Sequence, residues 1–364
     1  MQHMSAAHFS LLQEFSNTPS PSGFEQPLQR VIRRELEACA DSVETDVMGN
    51  VIACKRSTSV SSDAQRPMRI MLAGHCDEIG FMVHYIDEKG FLFFAPIGGV
   101  DAHMVPGQRV YVHSANGPVL GVVGKKPIHQ IDPKDRDTVI KFKAQFIDIG
   151  AKDGEHAAEL VRIGDPVTFV HGMERLQGQL ATSRAFDDKM GAFIVTRVMQ
   201  EVSKRGGHEV DLYSVTTVQE ELGLRGAISS TYGVNPTAGI AVDVDFASDF
   251  PGQDKSEVGD FVLGKGPIVS RGANINPVLF ELICATAREK QIPIQISAQA
   301  RATGTDANAM QLSRGGVAAA LLGVPLRYMH SPVEVLSLDD IEAAIELLTA
   351  VVLRIDPSIS FIPK

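Results

Sequence analysis

The sequence predicts an α/β protein, a largely parallel or mixed sheet flanked by helices, with a small all-β module inserted into it. Three observations carry that expectation. Helical and strand-like patterns alternate through the second half, short alternating apolar runs fill Gly80 to about Val170, and a helical stripe stands near the start. At 364 residues and 44% hydrophobic, the chain exceeds the roughly 250 to 300 residues at which one core stops growing, so at least two domains are expected.

Along the chain, Phe24, Leu28, Val31, Ile32 and Leu36 recur at three- and four-residue spacing after the turn sequence SPSG, predicting an amphipathic helix that opens the fold. Short β-rich pieces follow at 50–54 and 68–73, and the polar STSVSSDAQRP between them reads as a surface hairpin connection. The inserted module consists of runs such as GFMVHYID, GFLFFAP, QRVYVHS, GPVLGVVG and KFKAQFIDI, divided by turn residues. Beyond it the pattern gives a helix at 189–202, strands at 210–218 and 239–244, a helix at 277–289 and a final helix at 338–353. The α/β domain is therefore expected in two pieces, 1–84 and 176–364, around a module at 85–175.

Lys plus Arg number 34 against 44 Asp plus Glu, a net charge of −10 that disfavours nucleic acid and anionic membrane surfaces as partners. Cys39, Cys54, Cys76 and Cys284 form no CxxC pair, so neither a zinc ribbon nor a disulfide framework is indicated. The first residues lack the basic opening and apolar stretch of a secretion signal. The longest apolar run, 317–326, falls short of the roughly 20 residues that span a bilayer, and a cytoplasmic protein is expected.

Phosphate-loop, GxGxxG, GxSxG and HExxH signatures are absent, leaving Asp, Glu and His residues at the ends of expected strands. In AGHCDEIG, His75 and Asp77 share one face of an extended segment, which suits an imidazole ligand with an orienting carboxylate, or an ordinary polar turn. Cys76 points the other way and reads as a small buried thiol. Asp187 and Asp188 precede an apolar helix, where helix capping alone accounts for at least one of them. Glu220 and Glu221 end a strand, and their mutual repulsion is relieved if one faces a metal and the other a reacting water. Asp243 and Asp245 interrupt an apolar strand, so at least one needs a cation or a dense set of hydrogen bonds. His330 in LRYMHSPVEV would alone be an ordinary loop histidine.

The order and wording of PSGFE, GNVIA, AGHCDEIGF, PIGG, GKKPIH, FDDKMG, QEELGLRGA, AVDVDFASDFPG, TGTDANAMQLSRGGV and LRYMHSPVEV resemble the cytoplasmic metallo-aminopeptidases of the TET family, which includes glutamyl, leucyl and deblocking aminopeptidases and members labelled endoglucanase M. The resemblance covers almost the entire chain. It implies a di-metal exopeptidase domain holding two divalent ions, Zn or Co and possibly Mn. His75, Asp187 and Asp243 would hold one ion, Asp187, Glu221 and His330 the other. Glu220 would be the general acid/base and Asp77 the carboxylate that orients His75. The choice of Asp187 over Asp188, and of Asp243 over Asp245, comes from the resemblance, as does a cis peptide bond after Asp187.

The resemblance further implies that the module is a small barrel-like dimerisation domain. Dimers would assemble into a hollow dodecamer that trims single N-terminal residues from short peptides. Other readings stay open at this stage: a related metallo-carboxypeptidase or dipeptidase, an endoglucanase, or a non-catalytic peptide-binding assembly protein. Two departures stand out. Cys76 lies where relatives often carry Met or Thr and brings an expectation of oxidation sensitivity, and Asp245 adds a carboxylate that bears on metal choice.

Overall fold

Four segments rich in small and β-branched apolar residues form the parallel centre of an eight-stranded sheet in the computed structural model, which describes residues 3–58 and 67–363. Asp211–Thr217, Arg69–His75, Ala238–Phe246 and Ala318–Leu326 lie side by side in that order, all parallel. They are buried almost throughout, the pattern of strands covered on both faces. Val51–Lys55 and Ser42–Thr45 extend one side antiparallel; Ile268–Gly272 pairs antiparallel on the other and carries Gln295–Gln299 outside it. The sheet is mixed, as expected.

The helix Phe186–Arg205 crosses behind this sheet, with Met190, Phe193, Ile194, Val195 and Val198 all fully buried. Phe193 meets Phe15 edge-on, centroids 5.9 Å apart at 89°, which ties the N-terminal helix Ala6–Asn17 to the same core. A Cβ at Gly74 would strike the backbone of Gly191, so only glycine lets strand Arg69–His75 come this close to the helix. That approach sets His75 beside the helix start.

Six strands, Gly80–Ile86, Leu92–Ile97, Gln145–Asp148, Gly117–Lys125, Arg109–Ser114 and Pro166–Phe169, pair in that order and close into a barrel. Its core is its own: Phe81 packs edge-on against Phe94 and Phe169, with Val110 and Ile147 around them. The fold class of the sequence is thus observed, an α/β layer with an inserted β-barrel.

Several details differ from the sequence pattern. The fold opens with Ala6–Asn17, and the expected opening helix is the second, Gln26–Glu37, with Phe24 ahead of it. Pro27 in its first turn sets that start. Strands Val51–Lys55 and Arg69–His75 are not a hairpin, because Asp211–Thr217 lies between them; turn chemistry marks a loop but not which strands pair. Residues 59–66 of that connection lie outside the described residues. The apolar run at 317–326 holds the fourth central strand, and among the described residues no helix is long and apolar enough to cross a membrane. Barrel strand Gly80–Ile86 straddles the expected border at 84/85, and Glu174–Arg175 joins a small sheet with Leu180–Ser183 and Glu334–Ser337.

Candidate active site

The carboxyl ends of the central parallel strands, where α/β sheets gather their chemistry, bring the candidate residues together. His75 ends its strand, Glu220 and Glu221 follow Thr217, Asp243 lies near the end of Ala238–Phe246, and His330 follows Leu326. Asp187 enters from the first turn of Phe186–Arg205. These six line one cavity of about 370 Å³ together with Asp245, Phe246, Leu321, Met329, Thr303 and others, and among the described residues no Lys or Arg is in its walls.

Asp187 is the hub. Its Oδ1 lies 3.1 Å from His75 Nε2 and its Oδ2 3.3 Å from His330 Nε2, while Glu221 Oε1 is 3.3 Å from the same His330 nitrogen. Two groups of potential ligand atoms result, each within 4.8 Å: His75, Asp187 and Asp243, and Asp187, Glu221 and His330. Glu220 stands outside both groups, its Oε2 3.8 Å from His75 Nε2.

The adjacent Asp pair separates by role. Asp188 accepts from the backbone N–H of His75 at 3.0 Å and of Gly191 at 3.0 Å, so its carboxylate is spent on holding strand and helix together. The peptide bond between Asp187 and Asp188 is cis, as the resemblance implied. Asp77 is buried and accepts from Ser22 Oγ at 2.7 Å and from the backbone N–H groups of Glu220 and Glu221 at 3.0 and 3.2 Å. Its Oδ1 is 3.4 Å from His75 Nδ1, which also faces the Asp77 carbonyl at 3.1 Å, so Nε2 is the nitrogen left facing Asp187.

Crowded carboxylates shape the electrostatics. Burial, reinforced by Asp243, Asp306 and Asp187, pushes Glu220 up to about 10, and burial with neighbouring charge likewise raises Glu221 and Asp243. Burial works to lower His75, but Glu220, Asp187 and Asp77 outweigh it and hold the imidazole well above its ordinary value. Hydrogen bonds to Asp187 and Glu221 raise His330 to about 11. Carboxylates that repel one another, with imidazole nitrogens among them and no Lys or Arg among the described residues of the cavity wall, are what divalent cations would satisfy, so the residues present fit such ions.

Several participants carry no clear sequence signal. Glu334, fully buried, accepts from the backbone N–H of His330 at 3.0 Å and of Asp187 at 3.1 Å, joining two of the site's loops. The Gly99 carbonyl, at the end of a barrel hairpin, accepts from His330 Nδ1 at 3.0 Å. Behind the site, Glu78 pairs with Lys189 at 2.6 Å and Arg184 at 3.2 Å, all three buried. Lys189 donates to the Thr18 carbonyl at 2.7 Å, Arg184 donates to those of Ser16 and Asn17, and Ser20 N–H reaches Glu78. A hint existed only for Glu78 and Lys189, charged residues placed inside apolar runs.

Cys76 points into the main core and is fully buried; burial drives its thiol well above the ordinary range, which removes the basis for the expected oxidation sensitivity.

The sequence and fold match known proteins. The M42 glutamyl aminopeptidase family profile matches residues 49–347. The lysyl aminopeptidase of Pyrococcus furiosus is 36% identical over 96% of this chain and 98% of its own. The TET aminopeptidase of a marine-sediment archaeon of the Thaumarchaeota superposes with a TM-score of 0.89 at 34% identity, covering 97% of this chain and 98% of the other. The TET1 peptidase of Pyrococcus horikoshii, described as assembling into a tetrahedron or a large octahedral shell, gives 0.84 at 30% identity over 96% and 100%. A family match over most of the length, with relatives of the same length and fold, means that this chain belongs to the M42 glutamyl aminopeptidase family of metal-dependent peptide hydrolases.

Proposed function

We propose that this protein removes single N-terminal residues from short peptides at a site for two divalent ions. His75, Asp187 and Asp243 would hold one, Asp187, Glu221 and His330 the other, and Zn or Co, with Mn a third candidate, suits these donors. The observation that carries the reading is the pair of ligand groups sharing Asp187, with Glu220 beside them and outside both. When bound, two such ions polarise the scissile carbonyl and lower the pKa of a water.

The chain's own residues supply the rest. In the metal-free cavity burial and the neighbouring carboxylates hold Glu220 protonated; with divalent charge beside it, its carboxylate would be free to take a proton from the attacking water and deliver it to the departing amine, which its position in the cavity wall beside His75 allows. Asp77 acts through others: it orients His75 at Nδ1 and holds the Glu220 and Glu221 backbone in place. The free α-amine of the substrate would sit at the metal–carboxylate end of the cavity, which favours removal of a single N-terminal residue.

The test is Glu220→Gln. Metal content should stay near that of the wild type while turnover of aminoacyl amides falls by about 10² to 10⁴. Undiminished turnover would remove Glu220 from the mechanism. We further infer a cytoplasmic peptide trimmer that dimerises through the module spanning about residues 85–175 and builds a dodecamer. Apolar side chains exposed on the barrel, among them Tyr85, Leu120, Val122 and Ile128, support that reading, and mass in solution checks it.

A further inference from the structure

Among the described residues, Asp245 is the one carboxylate of the cavity wall that belongs to neither ligand group, accepts no hydrogen bond from another side chain and has no part in the proposed proton transfer. Its Oδ1 accepts only the neighbouring Phe246 N–H, at 2.9 Å, and its Oδ2 meets no hydrogen-bond partner among the described residues. Among the described residues no Lys or Arg lines the cavity. Two divalent ions would offset the four carboxylates Asp187, Glu220, Glu221 and Asp243, which leaves Asp245 as the uncompensated negative charge of the wall. A half-satisfied, mostly buried carboxylate is costly unless a cation or donor completes it.

Placement says where that cation would come from. Asp243 and Asp245 are two residues apart on strand Ala238–Phe246, so their side chains leave the same face about 7 Å apart along it. Gly323, on the neighbouring strand, has no side chain there; a Cβ would sit 2.8 Å from that of Asp245, so the glycine leaves room for the aspartate. Leu321, Phe246 and Met329 supply apolar wall nearby. A lysine side chain carries its ammonium about 6 Å from Cα on a four-carbon apolar stem, and arginine reaches slightly further. With the α-amine at the ligand end, such a side chain can lie along the apolar wall and end at Asp245.

We infer that Asp245 is the specificity-determining residue of this cavity and selects peptides whose N-terminal residue is cationic, Lys or Arg, over neutral and above all over acidic ones. The inference rests on the aminopeptidase reading above and names its substrate class. A neutral side chain leaves Asp245 unpaired, and a glutamyl side chain adds a second negative charge with no Lys or Arg among the described wall residues to meet either.

The test uses the metal-loaded full-length protein and the aminoacyl coumarylamides of Lys, Arg, Leu and Glu. Wild type should show kcat/KM in the order Lys and Arg, then Leu, then Glu. In Asp245→Asn the Lys-to-Leu ratio should fall at least about tenfold, the share of a charge-assisted hydrogen bond. A parallel readout needs no turnover: L-lysinamide should bind the metal-loaded Glu220→Gln protein more tightly than L-leucinamide in calorimetry, and a further Asp245→Asn substitution should abolish that difference. Wild type that cleaves without cationic preference, or a variant that weakens all substrates by one factor, overturns the inference alone. Cleavage of none of the four overturns the aminopeptidase reading as well, and equal binding of the two amides then overturns the inference on its own ground. Should Asp245→Asn fail to fold, the wild-type order and the amide comparison still decide it.

Discussion

Gly99→Ala tests how far the barrel enters the site. The Gly99 carbonyl can only accept, so His330 Nδ1 carries the proton it receives and Nε2 is the nitrogen left to face Asp187 and Glu221. An added Cβ at residue 99 would lie 2.9 Å from Nδ1 and 3.1 Å from Cε1 of that ring. Both separations are too short for carbon, so the imidazole must move by several tenths of an ångström and lose its aligned bond to the carbonyl. Loss of such a partner behind a metal-ligating histidine weakens binding about 10- to 100-fold, or about 1.4 to 2.8 kcal/mol. Only the ion proposed for Asp187, Glu221 and His330 should be affected, since His75 and Asp243 lie on other strands. Titration of the metal-free protein with Zn²⁺ or Co²⁺ in a calorimeter should show two ions for wild type and one tight plus one weakened ion for the variant. Two ions bound with wild-type affinities would refute this account of His330.

Three other outcomes follow from the geometry. Chelation should abolish peptide hydrolysis and add-back of single metals restore it; activity that survives full metal removal, checked by elemental analysis, would contradict the donor set. Glu78→Ala would leave Lys189 and Arg184 buried beside each other without their carboxylate, a loss of about 3 to 5 kcal/mol in urea unfolding, and a loss below about 1 kcal/mol would mean that the pair is dispensable. In the metal-free protein, burial raises Glu25 to about 7 and Asp306 to about 6. Carboxyls raised on folding stabilise below their unfolded values and lose that contribution as pH rises through the folded ones, so stability should fall between about pH 5 and pH 8, on the order of 3 kcal/mol for Glu25. Glu25→Gln should flatten the profile, and stability that rises over this window would contradict the reasoning.

How much of this was legible in the sequence depended on the range of the interaction. Strand 69–75 and the helix after Asp187 announce themselves by local period, and so does the face shared by His75 and Asp77. What periodicity could not supply was direction within an adjacent pair: Asp187 and Asp188 look alike until Gly74 and Gly191 bring strand and helix close enough for Asp188 to take up the His75 N–H. Glu334 and Gly99 were invisible for a different reason. Their partners, the Asp187 backbone N–H and the His330 ring, lie 147 and 231 residues away in the chain, and neither a lone Glu in a short strand nor a glycine in a hairpin carries that information. The hairpin expected between residues 54 and 68 failed similarly, since the strand that separates its two arms arrives some 150 residues later.

The buried knot of Glu78, Arg184 and Lys189 has a consequence for the order of events during synthesis. The barrel strands all lie between Gly80 and Phe169, so that unit can close on itself as soon as it leaves the ribosome. The segment from Ser16 to Ser20 cannot finish: its carbonyls wait for Arg184 and Lys189, made 168 and 171 residues after their partners Ser16 and Thr18. Until then the nascent chain carries a finished barrel between two halves of an unfinished hydrolase. Glu78 is in place early but stays without its cations, and the catalytic pocket becomes one of the last features of the protein to exist.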